Sequence, residues 1–222
     1  MQGALTGASG GTAAATCPRC NAPLASPVAC ASCGTLLPVP AGTDHFALLG
    51  LPHVYPLDEA RLERAYLKSS RLVHPDFFGG KPKEEQVQAM RHTALLNDAY
   101  QTLRDPVRRG EYLLRLLGGK TASADRHTPP CFLSEMLELR EESDDPALPQ
   151  ARKDELLRHV NERIHALLAE LPPLFERALA APALAVSLQR AGVLSALRSA
   201  LNSYYYLETL RENLSGEKRL RR

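Results

Sequence analysis

The 222-residue chain has almost no net charge: 27 basic and 25 acidic side chains leave a formal +2 at pH 7. A balance this close to zero supplies no general attraction to nucleic acid or to a lipid surface. Long hydrophobic runs are missing too, and none approaches the roughly eighteen apolar residues of a membrane span. Residues 1–16 are small and uncharged. They lack the basic start and apolar block of a secretory signal and the arginines of a mitochondrial transit peptide, so a targeting signal is either nonexistent or missing from this chain. Cysteine is scarce outside one cluster: four of the five lie between Cys17 and Cys33, and Cys131 stands alone. A secreted disulfide framework spreads its cysteines more widely, so the pattern fits a reducing compartment. Alternating β-type segments and internal repeats are absent. With 44% hydrophobic and 23% charged residues, the composition is that of an ordinary globular protein, one large domain or two to three small ones.

What is present falls into segments. Residues 1–16 read as a flexible Gly/Ala/Thr tail. Residues 17–40 hold four cysteines and five prolines, a composition that cannot build a hydrophobic core by itself. The cysteines form two pairs, Cys17-Pro-Arg-Cys20 and Cys30-Ala-Ser-Cys33, nine residues apart. Paired Cys-x-x-Cys motifs supply four thiolates for tetrahedral Zn²⁺, with Pro18 and Gly34 suited to the tight turns. Four thiolates leave no open coordination position, so the expected zinc role is structural, folding a module that burial cannot fold. A pair of redox dithiols, or an iron site, is the alternative. Arg19 is the only basic residue between Cys17 and Cys33, too little for a phosphate-binding patch. Cys131 is expected to be a lone, at least partly buried thiol.

From Asp44 the periodicity is helical. Asp44 can cap a short helix through Leu49 that Gly50-Leu51-Pro52 stops. Asp58 can cap a longer one with Leu62, Tyr66, Ser69 and Val73 facing inward and Arg61, Arg64, Lys68 and Arg71 on the opposite face. Pro75 ends it, because the residue before proline is pushed out of helical geometry. A third helix is expected from about Glu84 to Leu103, with Val87, Met90, Ala94, Leu95, Asn97 and Ala99 inward. A fourth starts at Pro106 and ends at Gly118-Gly119. Residues 119–130 read as a linker. Three helical stretches follow: Phe132 to about Glu142; Pro149 to Leu171, with Leu157, Val160, Ile164, Leu167 and Leu171 inward; and Pro182 to about Asn213, with Val193, Leu197, Ala200, Tyr204 and Leu207 inward. Pro172-Pro173 should break or kink the chain between the last two. Tyr204, Tyr205 and Tyr206 cannot all be buried.

The tripeptide His74-Pro75-Asp76 is a weak signal alone. Its plainest reading is a helix stop with Asp76 as a local cap. No nucleophile or second carboxylate lies nearby for catalysis, and no further histidine at ligand spacing for a metal. In context it sits between the helices of a hairpin, behind a basic stripe and ahead of Asn97-Asp98-Ala99-Tyr100-Gln101-Thr102-Leu103-Arg104-Asp105-Pro106. This pattern, from Asp44 to Leu117, resembles a J-domain, the module that stimulates ATP hydrolysis by DnaK-type heat-shock chaperones. Gly50-Leu51-Pro52, Glu111-Tyr112-Leu113-Leu114 and the run Phe132 to Glu142 are similar to the HscB family of iron–sulfur J-protein co-chaperones. The tetracysteine module, with Leu72-Val73-His74-Pro75-Asp76-Phe77-Phe78, resembles its animal mitochondrial members.

The resemblance implies an all-α protein: a zinc module (17–40), a J-domain hairpin (44–118) and a C-terminal three-helix bundle (131–214). It implies a co-chaperone that activates a partner's ATPase and is not itself an enzyme. His74, Pro75 and Asp76 would contact the chaperone, with Arg61, Arg64, Lys68 and Arg71 steering the encounter. In the helix from Phe132, one set (Phe132, Met136, Leu139) shares a side and would pack inward. Leu133, Leu137, Glu138 and Glu141 would then bind an IscU-type scaffold carrying a nascent cluster. Ser134 stands where bacterial members often carry a larger apolar residue, and an aromatic implied on the final helix is replaced, at Val193. The implied compartment is the mitochondrial matrix, with the cytosol as a second location. Self-association is left open. The rivals are a general J-protein for unfolded clients, a zinc-dependent nucleic-acid-binding protein and a redox enzyme using Cys17 and Cys20.

Overall fold

A computed structural model of the chain describes residues 16–180 and 188–216. Residues 1–15 of the expected tail and the expected start of the last helix at Pro182 lie outside the described residues; Thr16, at the end of that tail, forms an isolated β-bridge with Pro23. Those residues form seven α-helices and one 3₁₀ turn, with only two isolated β-bridges. They divide into two compact units, one holding residues 16–52 and 58–101, the other 53–57 with 102–180 and 188–216.

In the first unit, α1 (His45–Leu49) is capped by the Asp44 carboxylate, which accepts from the Ala47 amide at 2.9 Å. Gly50 closes it in the left-handed region (φ 65°), its amide reaching the Ala47 and Phe46 carbonyls. A side chain there would be strained, which explains the glycine of Gly50-Leu51-Pro52. Asp58 caps α2 (Glu59–Leu72), accepting from the amides of Ala60 and Arg61. Leu62, Ser69 and Val73 are buried while Arg61, Arg64, Lys68 and Arg71 are exposed, so the helix has the two faces its periodicity implies. The third helix, α3 (Lys83–Arg104), departs from expectation. Its buried stripe is Ala89, His92, Leu96, Ala99 and Leu103, whereas Met90 and Leu95 are 54% and 42% exposed and Ala94 is exposed. The spacing of three and four is kept, but the stripe runs through a histidine. Ranking by side-chain hydrophobicity instead selects the neighbouring face.

In the second unit, α4 (Pro106–Leu116) is capped by Asp105, which accepts from the Val107 and Arg108 amides. Three long segments follow: α5 (Pro130–Ser143), α6 (Gln150–Ala180) and α7 (Leu188–Ser215). The last two pack along each other, and α5 and α4 both pack against α7. Contrary to the expected break, α6 runs continuously through Pro172 and Pro173. Burial of Leu171 before the prolines and of Phe175 and Ala178 after them carries the inward stripe through. That packing outweighs the lost helix hydrogen bonds, a cost of about 3 kcal/mol or more per interior proline. Leu156, not Leu157, begins the buried stripe of α6, and Leu157 and Leu167 are only half-buried. All five inward residues expected on α7 are buried.

Glu111-Tyr112-Leu113-Leu114 has a structural explanation. Leu113 and Leu114 are each 1% exposed, and Glu111 forms a two-pronged ion pair with Arg198 of α7 at 2.5 and 2.6 Å. Arg198 is itself 1% exposed and also donates to Asn202. The Asn202 amide in turn holds the interhelical segment by donating to the carbonyls of Asp125 and His127, both at 3.0 Å. Where residues 119–130 read as a free linker by composition, these bonds tie the Asp125–His127 stretch to the bundle.

Candidate chaperone-docking segment, metal cluster and exposed acidic helix

Pro75–Phe78 form a 3₁₀ turn immediately after α2, which ends at Leu72. His74, not Asp76, caps it: His74 Nδ1 accepts from the Asp76 amide at 3.4 Å. Pro75 at the first turn position costs no hydrogen bond and fixes φ there. The His74 Nδ1 also lies 3.5 Å from the Asp76 carboxylate, so a protonated imidazole would find an acceptor on the same neighbour. Both side chains remain available to solvent, His74 at 51% and Asp76 at 86%. Phe78 is buried and anchors the turn, whereas Phe77 is 69% exposed. The turn thus presents a ring and a carboxylate outward on a backbone held by proline and a buried phenylalanine. Along α2 the four expected cations are exposed, and among the described residues only Arg64 pairs with a carboxylate, Asp58 at 3.9 Å.

Cys17, Cys20, Cys30 and Cys33 converge, all four sulfurs lying within 4.8 Å of one another. Each Cys-x-x-Cys pair sits on a tight knuckle closed by backbone bonds, Cys17 to Ala22 and Cys30 to Thr35, both 2.9 Å. The residue after each second cysteine is left-handed: Gly34 (φ 70°), and Asn21 (φ 57°), whose role was not read from the sequence. The Cys17–Cys33 and Cys20–Cys30 Sγ separations are 3.6 and 3.7 Å. A tetrahedral site with metal–sulfur bonds of about 2.3 Å has edges of about 3.8 Å, so the cluster fits such an ion. Four thiols this close cannot all ionise without a cation. The hydroxyl and amide of Thr35 pull the Cys33 thiol down to about 6, and the amides of Cys33 and Ser32 also lower Cys30. At Cys20 the Ala22 amide favours the thiolate, but hydrogen bonds with Cys33, Cys17 and Cys30 and burial together push the thiol up to about 12. The donor set would bind a metal with release of the remaining protons.

The module is seated on the helical hairpin of its own unit. Ser26 Oγ meets Ser69 Oγ of α2 at 3.5 Å, and Gln88 of α3 donates to the Leu37 carbonyl at 3.4 Å. His92 hydrogen-bonds the Val28 backbone; burial, opposed by that bond, holds its imidazole below the ordinary value. Val28, Ala29 and Leu37 are buried, so segment 17–40 buries apolar surface after all. Its composition concealed this because α2 and α3 supply the other wall.

On α5, Phe132 and Met136 are buried and Leu139 half-buried, while Leu137 is 61% exposed and Glu138 and Glu141 are exposed. Leu133 is half-buried. Cys131, expected to be at least partly buried, is exposed. Val193, taken as the replacement for an aromatic on the final helix, is buried at 6%. The exposed aromatic of α7 is Tyr206, 51% exposed and edge-on to Phe132 with centroids 6.4 Å apart. Tyr204 is buried, so the tyrosine run does divide between core and surface.

Residues 44–112 match the DnaJ domain family. Co-chaperone protein HscB of Proteus mirabilis (strain HI4320) is 44% identical over 103 residues. The chain carries a J-domain and is similar to HscB proteins. The matched stretch is 46% of this chain and 60% of that relative. The fold agrees along more of the chain. It superimposes on the crystal structure of human co-chaperone protein HscB with a TM-score of 0.71 at 25% identity, covering 90% of this chain and 97% of that one. Chaperone HscB from Vibrio cholerae gives 0.61 at 28% identity, covering 78% and 96%.

Proposed function

We propose that this HscB-like protein is an adaptor in iron–sulfur cluster biogenesis. It binds an IscU-type scaffold, delivers it to a DnaK-type chaperone and stimulates that chaperone's ATPase. The observation that carries this reading is the presentation of His74 and Asp76, both solvent-facing on a proline-fixed 3₁₀ turn beside four exposed cations. No bond is made or broken on this chain. The turn acts by binding the hydrolysis-competent state of the chaperone better than its alternative, because a ligand shifts an equilibrium only through differential affinity. Arg61, Arg64, Lys68 and Arg71 raise the rate of encounter with an acidic chaperone face more than the final affinity.

For the scaffold, we assign Leu133, Leu137, Glu138 and Glu141 of α5, joined by Tyr206 of α7. Exposed Leu137 with carboxylates beside it offers an apolar contact with an acidic rim. Holding scaffold and chaperone on one chain raises their effective concentration. The tetracysteine cluster holds Zn²⁺ in a structural role through Cys17, Cys20, Cys30 and Cys33; the ion supplies the positive charge that lets four thiolates coexist. The compartment we propose is the mitochondrial matrix, on the likeness of the tetracysteine module to animal mitochondrial members.

The test is steady-state ATPase of a DnaK-type chaperone with this protein, with and without scaffold. Stimulation should rise synergistically with scaffold, and Leu137→Ala should remove the synergy while leaving scaffold-free stimulation intact. Stimulation indifferent to scaffold would end the iron–sulfur assignment and leave a general J-protein.

A further inference from the structure

The second unit holds a pocket of about 400 Å³ between the segment before α5, α5 itself and the C-terminal half of α7. Met136, Leu210 and the ring of Tyr206 give it apolar walls, Met136 and Leu210 being buried. Two guanidinium groups line it from different elements, Arg126 from the segment before α5 and Arg140 from the last turn of α5. Among the described residues no carboxylate is in the lining. Asp125 is matched by Lys120 at 3.5 Å and Glu208 by Arg211 at 2.6 Å. Glu138 and Glu141 are on the outward face of α5, and Glu212 is outside the lining. Asp144 offsets Arg140 alone, from 3.7 Å, and Arg126 pairs with no carboxylate among the described residues. The backbone on both sides of Arg126 is held: Asn202, 7% exposed and also in the lining, donates to the carbonyls of Asp125 and His127. The guanidinium is thus brought to the pocket by a fixed segment, which lowers the ordering cost of using it.

We propose that this pocket binds a small apolar monocarboxylate, its body against Met136, Leu210 and Tyr206 and its carboxylate paired with Arg126 and Arg140. The volume lies at the small end of the roughly 300–1,000 Å³ typical of small-ligand sites, and apolar walls with a few polar groups are their usual lining. Two guanidinium groups without a carboxylate in the lining set the sign of the ligand and exclude a cation. Each guanidinium is a planar fork matched to a carboxylate. A bare inorganic anion would leave the apolar walls unused. A nucleotide fits less well, because α5 and α7 both reach the pocket near their C-terminal ends, Arg140 and Asn213 each lying in a last turn. Helix C-termini carry partial negative charge, which opposes a dense polyphosphate more than a single carboxylate. The site goes beyond the adaptor reading and does not rest on it. Tyr206 is the one residue it shares with the scaffold assignment.

The experiment is isothermal titration calorimetry of the full chain with decanoate, a flexible chain, and with 2-naphthoate, a flat ring. At least one should bind saturably at a single site, and the tighter of the two identifies the body the pocket takes. Neutral 2-naphthol and cationic decyltrimethylammonium should bind at least about tenfold more weakly than the corresponding acid, which alone keeps the charge-assisted hydrogen bonds. Arg126→Glu and Arg140→Glu should each weaken the acid about tenfold for the same reason. Both positions are exposed, so helicity should stay at the natural level. Arg158→Glu, an equal charge change on an exposed position of α6, should bind like the natural protein. Leu137→Ala should also bind normally, so this site and the scaffold assignment fail separately. The inference is overturned if neither acid binds the natural protein or if both pocket variants bind as tightly as Arg158→Glu does. It is equally overturned if 2-naphthol or decyltrimethylammonium binds as tightly as the acids, which would leave an apolar crevice only, or if ATP binds more tightly than either acid.

Discussion

Replacing Glu111 with alanine should cost the second unit about 3 kcal/mol, near the lower end of the 3–5 kcal/mol range for breaking a buried ion pair from one side. The Arg198 guanidinium is 1% exposed and directs two of its nitrogens at Glu111, at 2.5 and 2.6 Å. Without the carboxylate, the charge stays buried with Asn202, at 2.9 Å, as its one remaining acceptor among the described residues. Glu111 itself is 26% exposed, so water can partly replace it, which places the cost at the low end. A loss of about 3 kcal/mol is a large part of the 5–15 kcal/mol that holds a typical domain and should lower Tm by roughly 10 °C. Urea unfolding followed by far-UV circular dichroism reads this directly, at unchanged m-value. Replacing both partners, as Glu111→Leu with Arg198→Met, should recover most of the loss, because no unpaired charge remains. A cost below about 1 kcal/mol for Glu111→Ala, or a double variant no better than the single one, would refute the reasoning.

Three further outcomes are expected. Cys30→Ser should lower bound zinc below one equivalent, measured by metal analysis, and expose segment 17–40 to proteolysis. Zinc affinity should fall as pH drops from 7.5 to 5.5, measured by competition with a chromogenic chelator, because the four sulfurs bind as thiolates. The His92 imidazole is held by burial below 6.5 in the folded state, so its contribution is fully present above pH 6.5 and is lost as pH falls through the depressed value. Thermal stability should therefore fall on acidification from pH 7.5 to 5, and His92→Phe should flatten that part of the dependence.

The helices of the J-domain were legible because their boundaries carry local chemistry. Asp44, Asp58 and Asp105 cap, Gly50 turns left-handed, and Pro75 and Pro106 stand where prolines are tolerated. The cysteine cluster was legible because paired spacing alone brings four sulfurs together. What local pattern could not show was burial supplied by a distant segment. His92 lies on the inner stripe of α3 because the Val28 backbone gives it a partner, while Met90 and Leu95 stay outside. Pro172 and Pro173 continue a helix because Leu171 and Phe175 pack on either side of them. On α5 the division into inward Phe132 and Met136 and outward Leu137 follows the helical repeat. The exposed aromatic of α7 did not: Tyr206 is one of three consecutive tyrosines, and nothing local says which faces out.

The measurement to make is the scaffold-free ATPase rate of a DnaK-type chaperone with the natural protein and with His74→Gln at equal concentration. His74 is half-exposed and its ring only caps a short turn, so the variant should keep its fold and its Tm within about 1 °C. The proposed docking role requires the natural protein to stimulate hydrolysis and the folded variant to leave the rate at its basal level. A variant that stimulates as well as the natural protein would reduce His74-Pro75-Asp76 to a helix stop and contradict the chaperone-docking assignment.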